Sequence, residues 1–106
     1  MGARPKFSYV RSEAYRRFCA SLACFVCGVE GQSNACHPNS SRYGKGKSIK
    51  ASDAFIFPLC IRHHREHDQC LEMSKSERDA IEDEYIQKMQ AIAAEAGWIN
   101  GQRRPV

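Results

Sequence analysis

Apolar residues recur at helical spacing near the start of the chain and again over its last third. Ser12 can cap a first helix that runs to about Ser21, and Ser74-x-x-Glu77 forms a capping box that opens a longer helix over 74–97. The apolar stripes are Tyr15, Phe18, Cys19 and Leu22 in the first helix and Ile81, Tyr85, Met89, Ile92 and Ala96 in the second. The pattern therefore predicts an N-terminal helix and a long C-terminal helix.

The segment between these helices predicts two short strands and a short helix. Ala35–Pro38 can end the first strand, because proline has no N–H to donate to a central ladder. Asp53–Leu59 predicts the second strand, with an apolar residue at every second position from Phe55. Cys60–Asp68 predicts the short helix, and Trp98 is expected to pack just beyond the last helix. This order of elements indicates an α+β fold, and 106 residues leave room for one domain.

Composition excludes several classes of protein. Hydrophobic residues make up 42% of the chain and charged residues 26%, which is typical of a globular domain. No apolar run approaches the roughly 18 residues of a membrane span. The basic start of the chain is not followed by the apolar core of a signal peptide. We therefore expect a cytoplasmic protein without a membrane partner.

Six cysteines in 106 residues need a physical reason. Nothing directs the chain to an oxidising compartment, so metal binding is favoured over disulfides. Cys24-x-x-Cys27 and Cys60-x-x-His63 form a four-ligand set, which predicts a tetrahedral zinc site joining two distant parts of the chain. Such a site supplies on the order of 10 kcal/mol of folding free energy. His64 is also one turn from Cys60 and could replace His63 as the fourth ligand.

The remaining histidines lie close to the same residues in the sequence. His64 and His67 are three residues apart on the predicted short helix, so their imidazoles can share a face and bind a second metal. His37 lies at the end of the predicted first strand. The histidines left over by the zinc set therefore predict a second site.

Charge is unevenly distributed along the chain. Residues 1–50 carry nine lysines and arginines against two acidic residues, whereas residues 51–106 carry seven against ten. A glycine- and serine-rich segment of the basic half contains Arg42, Lys45 and Lys47, which are suited to holding phosphates of a nucleic acid backbone. The basic half therefore predicts DNA as the partner, and the alternative is a solvated basic face with no partner.

Taken together, these residues resemble a zinc-stapled HNH endonuclease, a nuclease with a ββα-metal core. The pattern consists of Cys24-x-x-Cys27, Cys36-His37, Asp53 and Pro58-Leu59-Cys60-x-x-His63-His64-x-x-His67. More narrowly, the chain is similar to small HNH nucleases of phages and prophages that are related to the phage recombination-enhancement nuclease. The resemblance covers about residues 11–68. It implies an N-terminal arm and helix over 1–23, a zinc-stapled HNH core over 24–70 and a C-terminal helix over 74–97, in the cytoplasm of a bacterial host.

The resemblance also implies a role for each polar residue of the core. The general base falls on His37, and the ligands of a catalytic divalent metal (Mg²⁺, Mn²⁺, Ni²⁺ or Zn²⁺) fall on His64 and His67. The central position of the motif, often Asn, is nearest to Asp53. The position before the base, often a metal-binding Asp or His, is Cys36, which could bind metal as a thiolate or pack as a small apolar residue.

The expected activity follows from these roles. An imidazole can accept a proton from an attacking water at physiological pH, and a divalent cation can stabilise the leaving oxygen as a Lewis acid. We therefore expect a metal-dependent endonuclease that hydrolyses DNA phosphodiester bonds with low sequence specificity. The alternative is a non-catalytic zinc-finger module that binds DNA without cutting it.

Overall fold

The computed structural model describes residues 10–39, 52–69, 72–99 and 101–103 of the chain. In these ranges the helices and strands are, in order, α1 (Glu13–Ala20), β1 (Ser33–Cys36), β2 (Phe57–Cys60), α2 (Ile61–Gln69), α3 (Lys75–Glu95), β3 (Trp98–Ile99) and β4 (Gln102–Arg103). The predicted α+β class is therefore confirmed. None of the described helices is both long enough and apolar enough to cross a bilayer.

The centre of the fold is an antiparallel hairpin of β1 and β2 that leads directly into α2. Ser33 pairs with Cys60 at one end of the hairpin, and Cys36 pairs with Phe57 at the other. We call these the open end and the loop end, because the chain that connects the two strands leaves from the second. All four residues of β2 are buried, and all three described helices pack against this strand.

The second strand is shorter than predicted. Asp53–Phe55 forms a turn of 3-10 helix, and only Phe57–Cys60 pairs with β1. The Ser52 hydroxyl caps this turn by accepting a hydrogen bond from the N–H of Ala54. The prediction of a strand from Asp53 was therefore wrong, because alternation of apolar residues does not show that a serine cap bends the backbone.

The N-terminal helix forms as predicted and packs against the end of the chain. The Ser12 hydroxyl accepts a hydrogen bond from the N–H of Tyr15, and Tyr15 is buried. The rings of Tyr15 and Phe18 lie 5.2 Å and 5.7 Å from the ring of Trp98, which is buried as expected. The β3–β4 hairpin was not predicted; at its Gly101 a side chain would come within 3.2 Å of the backbone of Ala54.

The C-terminal helix has the predicted capping box but buries a different face. Ser74 and Glu77 cap each other as expected, and the helix ends at Glu95, two residues before the predicted end. Its fully buried residues are Glu82, Ile86, Met89 and Ala93, whereas Ile81, Tyr85 and Ile92 are half-buried and Ala96 is exposed. The buried face is therefore rotated relative to the predicted stripe: Met89 is confirmed and Tyr85 packs against the core, whereas Ala96 was wrong. The true inner face includes a carboxylate, which a search for apolar periodicity passes over.

Candidate functional site

The first half of the cysteine cluster is a tight turn after α1. The N–H of Gly28 donates to the carbonyl of Cys24 at 2.9 Å, and the N–H of Val26 donates to the Cys24 sulfur at 3.4 Å. Gly28 has a φ of 75°, which a residue without a side chain adopts without strain. This turn brings the thiols of Cys24 and Cys27 to the same side.

The second half of the cluster forms where β2 passes into α2. Cys60 ends the strand and His63 lies on the first turn of the helix, with the His63 Nδ1 3.2 Å from the Cys60 sulfur. The same nitrogen lies 3.7 Å from the Cys24 sulfur, and the sulfurs of Cys27 and Cys60 are 4.0 Å apart. The four predicted zinc ligands therefore meet at the open end of the hairpin.

The geometry and chemistry of this cluster fit a metal ion. Its four ligand atoms all lie within 4.8 Å of one another, and ligands in a tetrahedral zinc site are roughly 3.5–4 Å apart. Burial opposes ionisation of the Cys24 thiol, but the N–H groups of Cys27, Cys60 and Val26 lower its pKa to about 6. Three sulfurs and one imidazole nitrogen can thus hold a metal ion such as zinc.

The structure decides between the two histidines that could complete the cluster. His63 faces the cysteines, whereas the Nε2 of His64 lies 3.2 Å from a carboxylate oxygen of Asp68. The Nε2 of His63 is 3.8 Å from Glu66, an exposed carboxylate that can orient the ring from behind. His63 is therefore the fourth member of the cluster.

Cys36 lies apart from the metal cluster. Its side chain is buried in the hydrophobic core, and its thiol donates to the carbonyl of Asn34 at 3.5 Å. Burial raises its pKa to about 12, which keeps the thiol protonated. Of the two roles open to Cys36, the structure therefore favours apolar packing over metal binding.

A histidine–carboxylate pair lies at the loop end of the hairpin. His37 follows β1, and its Nε2 is 2.6 Å from a carboxylate oxygen of Asp53. Asp53 is buried and also accepts hydrogen bonds from the backbone N–H of Ser12 and from the side chains of Arg11 and Arg16. Burial acts to raise the pKa of Asp53, but the hydrogen bonds from His37, Ser12 and Arg16 outweigh it and lower the pKa below its usual value. The pair therefore holds an ionised carboxylate against a partly exposed imidazole.

A second pair joins α2 to α3. The Nε2 of His67 lies 2.7 Å from a carboxylate oxygen of Glu82, and both side chains are buried. Asn39, two residues after His37, donates to Glu82 from its backbone at 2.9 Å and from its side-chain amide at 3.3 Å. The ring of His67 packs edge-on against Phe57, which places this pair near the loop end as well.

His64 and His67 therefore face different carboxylates. His64 pairs with Asp68 at the surface, where Asp68 also accepts a hydrogen bond from the Asn39 amide at 3.1 Å. Within the described ranges, the cysteine cluster is the one group of three or more Cys, His, Asp or Glu residues with converging donors. The catalytic metal on His64 and His67 thus stays a prediction.

The predicted DNA contacts Arg42, Lys45 and Lys47 lie outside the described residues.

Sequence reasoning did not find Glu82 or Asn39. A signal for Glu82 was present, because it lies four and seven residues before Ile86 and Met89, on the face that α3 buries. No comparable signal marked Asn39, whose hydrogen bonds to Glu82 and Asp68 are long-range.

These features define a small α+β protein with a cluster of three cysteines and one histidine that could hold a metal ion such as zinc, and with several histidine–carboxylate pairs. The family model DUF968, described as "Protein of unknown function", matches residues 2–95. Because the match runs through the end of α3 and takes in most of the chain, the protein belongs to the DUF968 family. No curated protein and no solved structure gives a significant match to the chain.

Proposed function

We propose that this protein is an HNH-type, metal-dependent endonuclease that hydrolyses DNA phosphodiester bonds with low sequence specificity, encoded by a phage or prophage and active in the bacterial cytoplasm. The observation that carries this proposal is the position of His37. It follows the first strand of a hairpin whose second strand leads directly into a helix with three further histidines, His63, His64 and His67. Its imidazole is held by Asp53.

Zinc bound by Cys24, Cys27, Cys60 and His63 has a structural role in this proposal. The hairpin has only four residue pairs. Its open end is packed against the turn that carries Cys24 and Cys27, and a shared metal ion would hold the two together. A structural zinc site contributes on the order of 10 kcal/mol of apparent folding free energy. A closed set of four protein ligands leaves no position for substrate, which is why catalysis is assigned elsewhere.

His37 is suited to be the general base. An ionised carboxylate can only accept hydrogen bonds, so the hydrogen shared with Asp53 belongs to the Nε2 of His37. In the neutral ring the lone pair is then on Nδ1, and this nitrogen can accept a proton from the attacking water. General-base catalysis of this kind contributes typically about 10²–10⁴-fold in rate.

A divalent cation would be held by His64 with Asp68, with His67 beside them on the same helix. Magnesium sites commonly use one or two carboxylates and take their remaining ligands from water and substrate phosphates, so this donor set is sufficient. When bound, the cation supplies Lewis-acid stabilisation of the leaving oxygen.

The charge distribution favours a polyanionic substrate. Arg11 and Arg16, whose side chains are 42% and 38% exposed, both contact Asp53: Arg11 at Oδ1, the oxygen that His37 also contacts, and Arg16 at Oδ2. Arg42, Lys45 and Lys47 follow β1 and His37 in the sequence. Binding that depends on these cations is expected to weaken steeply as salt is raised.

Cleavage of supercoiled plasmid by the wild type and by His37→Ala tests the proposal. With Mg²⁺, Mn²⁺, Ni²⁺ or Zn²⁺ added in turn, the wild type should nick the plasmid, and His37→Ala should cut at least about 100-fold more slowly while binding DNA equally well. Asn34→Ala, an exposed change on the strand before His37, is the matched control and should cut normally.

Two outcomes would overturn this proposal. Salt-dependent DNA binding without cleavage in any of the metals would identify the non-catalytic zinc-finger module instead. If DNA binding itself is missing or is insensitive to salt, neither reading stands.

A further inference from the structure

The most unusual side chain of the C-terminal helix is the buried carboxylate of Glu82. It is wholly buried and accepts three hydrogen bonds, one from the Nε2 of His67 and two from Asn39. Its neighbours on the inner face of α3 are apolar residues such as Ile86 and Met89. Glu82 is therefore a polar residue in a position that packing alone would give to an aliphatic one.

Burial of this carboxylate is difficult to explain by stability. An isolated buried charge is costly, and replacing a buried polar pair with well-packed apolar residues is often neutral or stabilising. The partners of Glu82 are an imidazole and an amide side chain with its own backbone N–H, which are weaker partners than an arginine fork. The arrangement therefore points to a positioning role.

The three hydrogen bonds of Glu82 connect the elements that carry the candidate chemistry. The bond to His67 orients an imidazole of α2, and the bonds to Asn39 hold the chain two residues beyond His37. Asn39 also donates to Asp68, the partner of His64. Glu82 of α3 thus connects residues 37–39, which follow β1, to His67 of α2.

We propose that Glu82 is a positioning residue that fixes His67 in its Nε2–H form and anchors residues 37–39, which follow β1, through Asn39. Because the carboxylate only accepts hydrogen bonds, the Nδ1 of neutral His67 is the atom left with a lone pair, available for a hydrogen bond or a cation. The tautomer and the anchoring follow from the contacts of Glu82 alone; the consequence for cleavage rests on the proposed nuclease function.

Long-range ¹H–¹⁵N NMR spectra of the full chain, purified with its metal, report the tautomer of each histidine. At pH 8, where free imidazole is neutral, His67 in the wild type is expected to show the Nε2–H form. In Glu82→Gln the side-chain amide can place its NH₂ group where His67 and Asn39 already point their own N–H groups, so His67 should populate the tautomer with the hydrogen on Nδ1. Glu82→Leu offers no acceptor and should remove the preference of His67 for either tautomer. Glu84→Gln removes an exposed carboxylate of the same helix and should leave His67 unchanged.

Plasmid cleavage and thermal melting of the same variants complete the test. We expect Glu82→Gln and Glu82→Leu to cut about 10- to 100-fold more slowly, and Glu82→Leu to melt below the wild type because it takes the acceptor away from the buried Nε2–H of His67. An unchanged His67 tautomer in both variants overturns the inference, as does failure of both variants to fold. If the wild type does not cut DNA but the tautomer responds as described, the nuclease function is rejected and the role of Glu82 is retained.

Discussion

The two ends of the central hairpin use histidine in different ways. At the open end, three cysteines and one histidine from different parts of the chain converge on a single point. At the loop end, His37 and His67 are held apart, each by its own buried carboxylate. Convergence of soft donors is what holding a metal ion requires, whereas separate carboxylate partners fix the orientation of individual imidazoles.

The difference follows from how each group is assembled. The ligands at the open end come as two pairs three residues apart, and each pair is brought together by one local turn. The carboxylates at the loop end come from Asp53 and Glu82, which lie 16 and 15 residues from their histidines. The open end therefore depends on local structure plus one long-range contact, whereas the loop end depends on tertiary packing throughout.

The largest expected effect on stability is that of Cys27→Ala, and it distinguishes metal binding from packing at the open end. Cys27 is exposed and Cys36 is buried in the core, so packing alone predicts that Cys36→Ala is the more damaging change. With a metal bound by the cluster, Cys27→Ala should instead lose the metal and the cooperative melting transition. Cys36→Ala should keep the metal and lose only about 1 kcal/mol.

Metal content by elemental analysis and thermal melting by circular dichroism check this reversal. Chelation of the wild-type metal should reproduce the Cys27→Ala result. A Cys27→Ala protein that melts like the wild type would show that the cluster does not hold a stabilising metal.

A smaller effect is expected from Asp53→Asn at the loop end. The variant loses charge-assisted hydrogen bonds to Arg11, Arg16 and His37, and we expect a loss of about 1.5–3 kcal/mol at pH 7. The folded-state pKa of Asp53 is lowered, so the ionised group stabilises the fold above its ordinary pKa of about 3.9. That contribution is lost as the pH falls through the folded-state pKa.

Urea denaturation of wild type and Asp53→Asn at stepped pH measures this difference. It should be of full size at pH 7 and should shrink as the pH falls toward and below 4. Glu95→Gln, an exposed change on α3, should have the same free energy of unfolding as the wild type at every pH. A difference that keeps its full size well below pH 4 would contradict the assignment of Asp53 as an ionised partner.

The smallest effect on stability is expected from His64→Ala. His64 and Asp68 form a surface pair with side chains 38% and 41% exposed, and such pairs contribute about 0–1 kcal/mol. If His64 and Asp68 hold a catalytic cation, cleavage should nevertheless fall at least about tenfold. Gln69→Ala on the same helix serves as the control, and equal cleavage by the two variants would remove His64 from the proposed site.

The extent to which the sequence predicted this protein can be seen at particular residues. Helices capped by Ser12 and Ser74 were predicted because a cap and its partner are three residues apart. The turn at Ser52 and the burial of Glu82 were missed, since the Ser52 hydroxyl and the Glu82 carboxylate are both held by contacts with distant residues, Val10 and Asn39. Asp53 was assigned to a strand and to a motif position, whereas its main contacts are with His37 and α1.

The sequence by itself determined the α+β class, the order of the main elements and the two ligand pairs of the cysteine cluster. Each of these depends on a spacing of two to four residues, within which the backbone has few choices. Only the tertiary structure decided that His63 rather than His64 completes the cluster, that Cys36 packs in the core, and that Glu82 holds His67. These outcomes depend on how α2 and α3 pack on β2, and that packing is set by the summed burial of many side chains rather than by any local pattern.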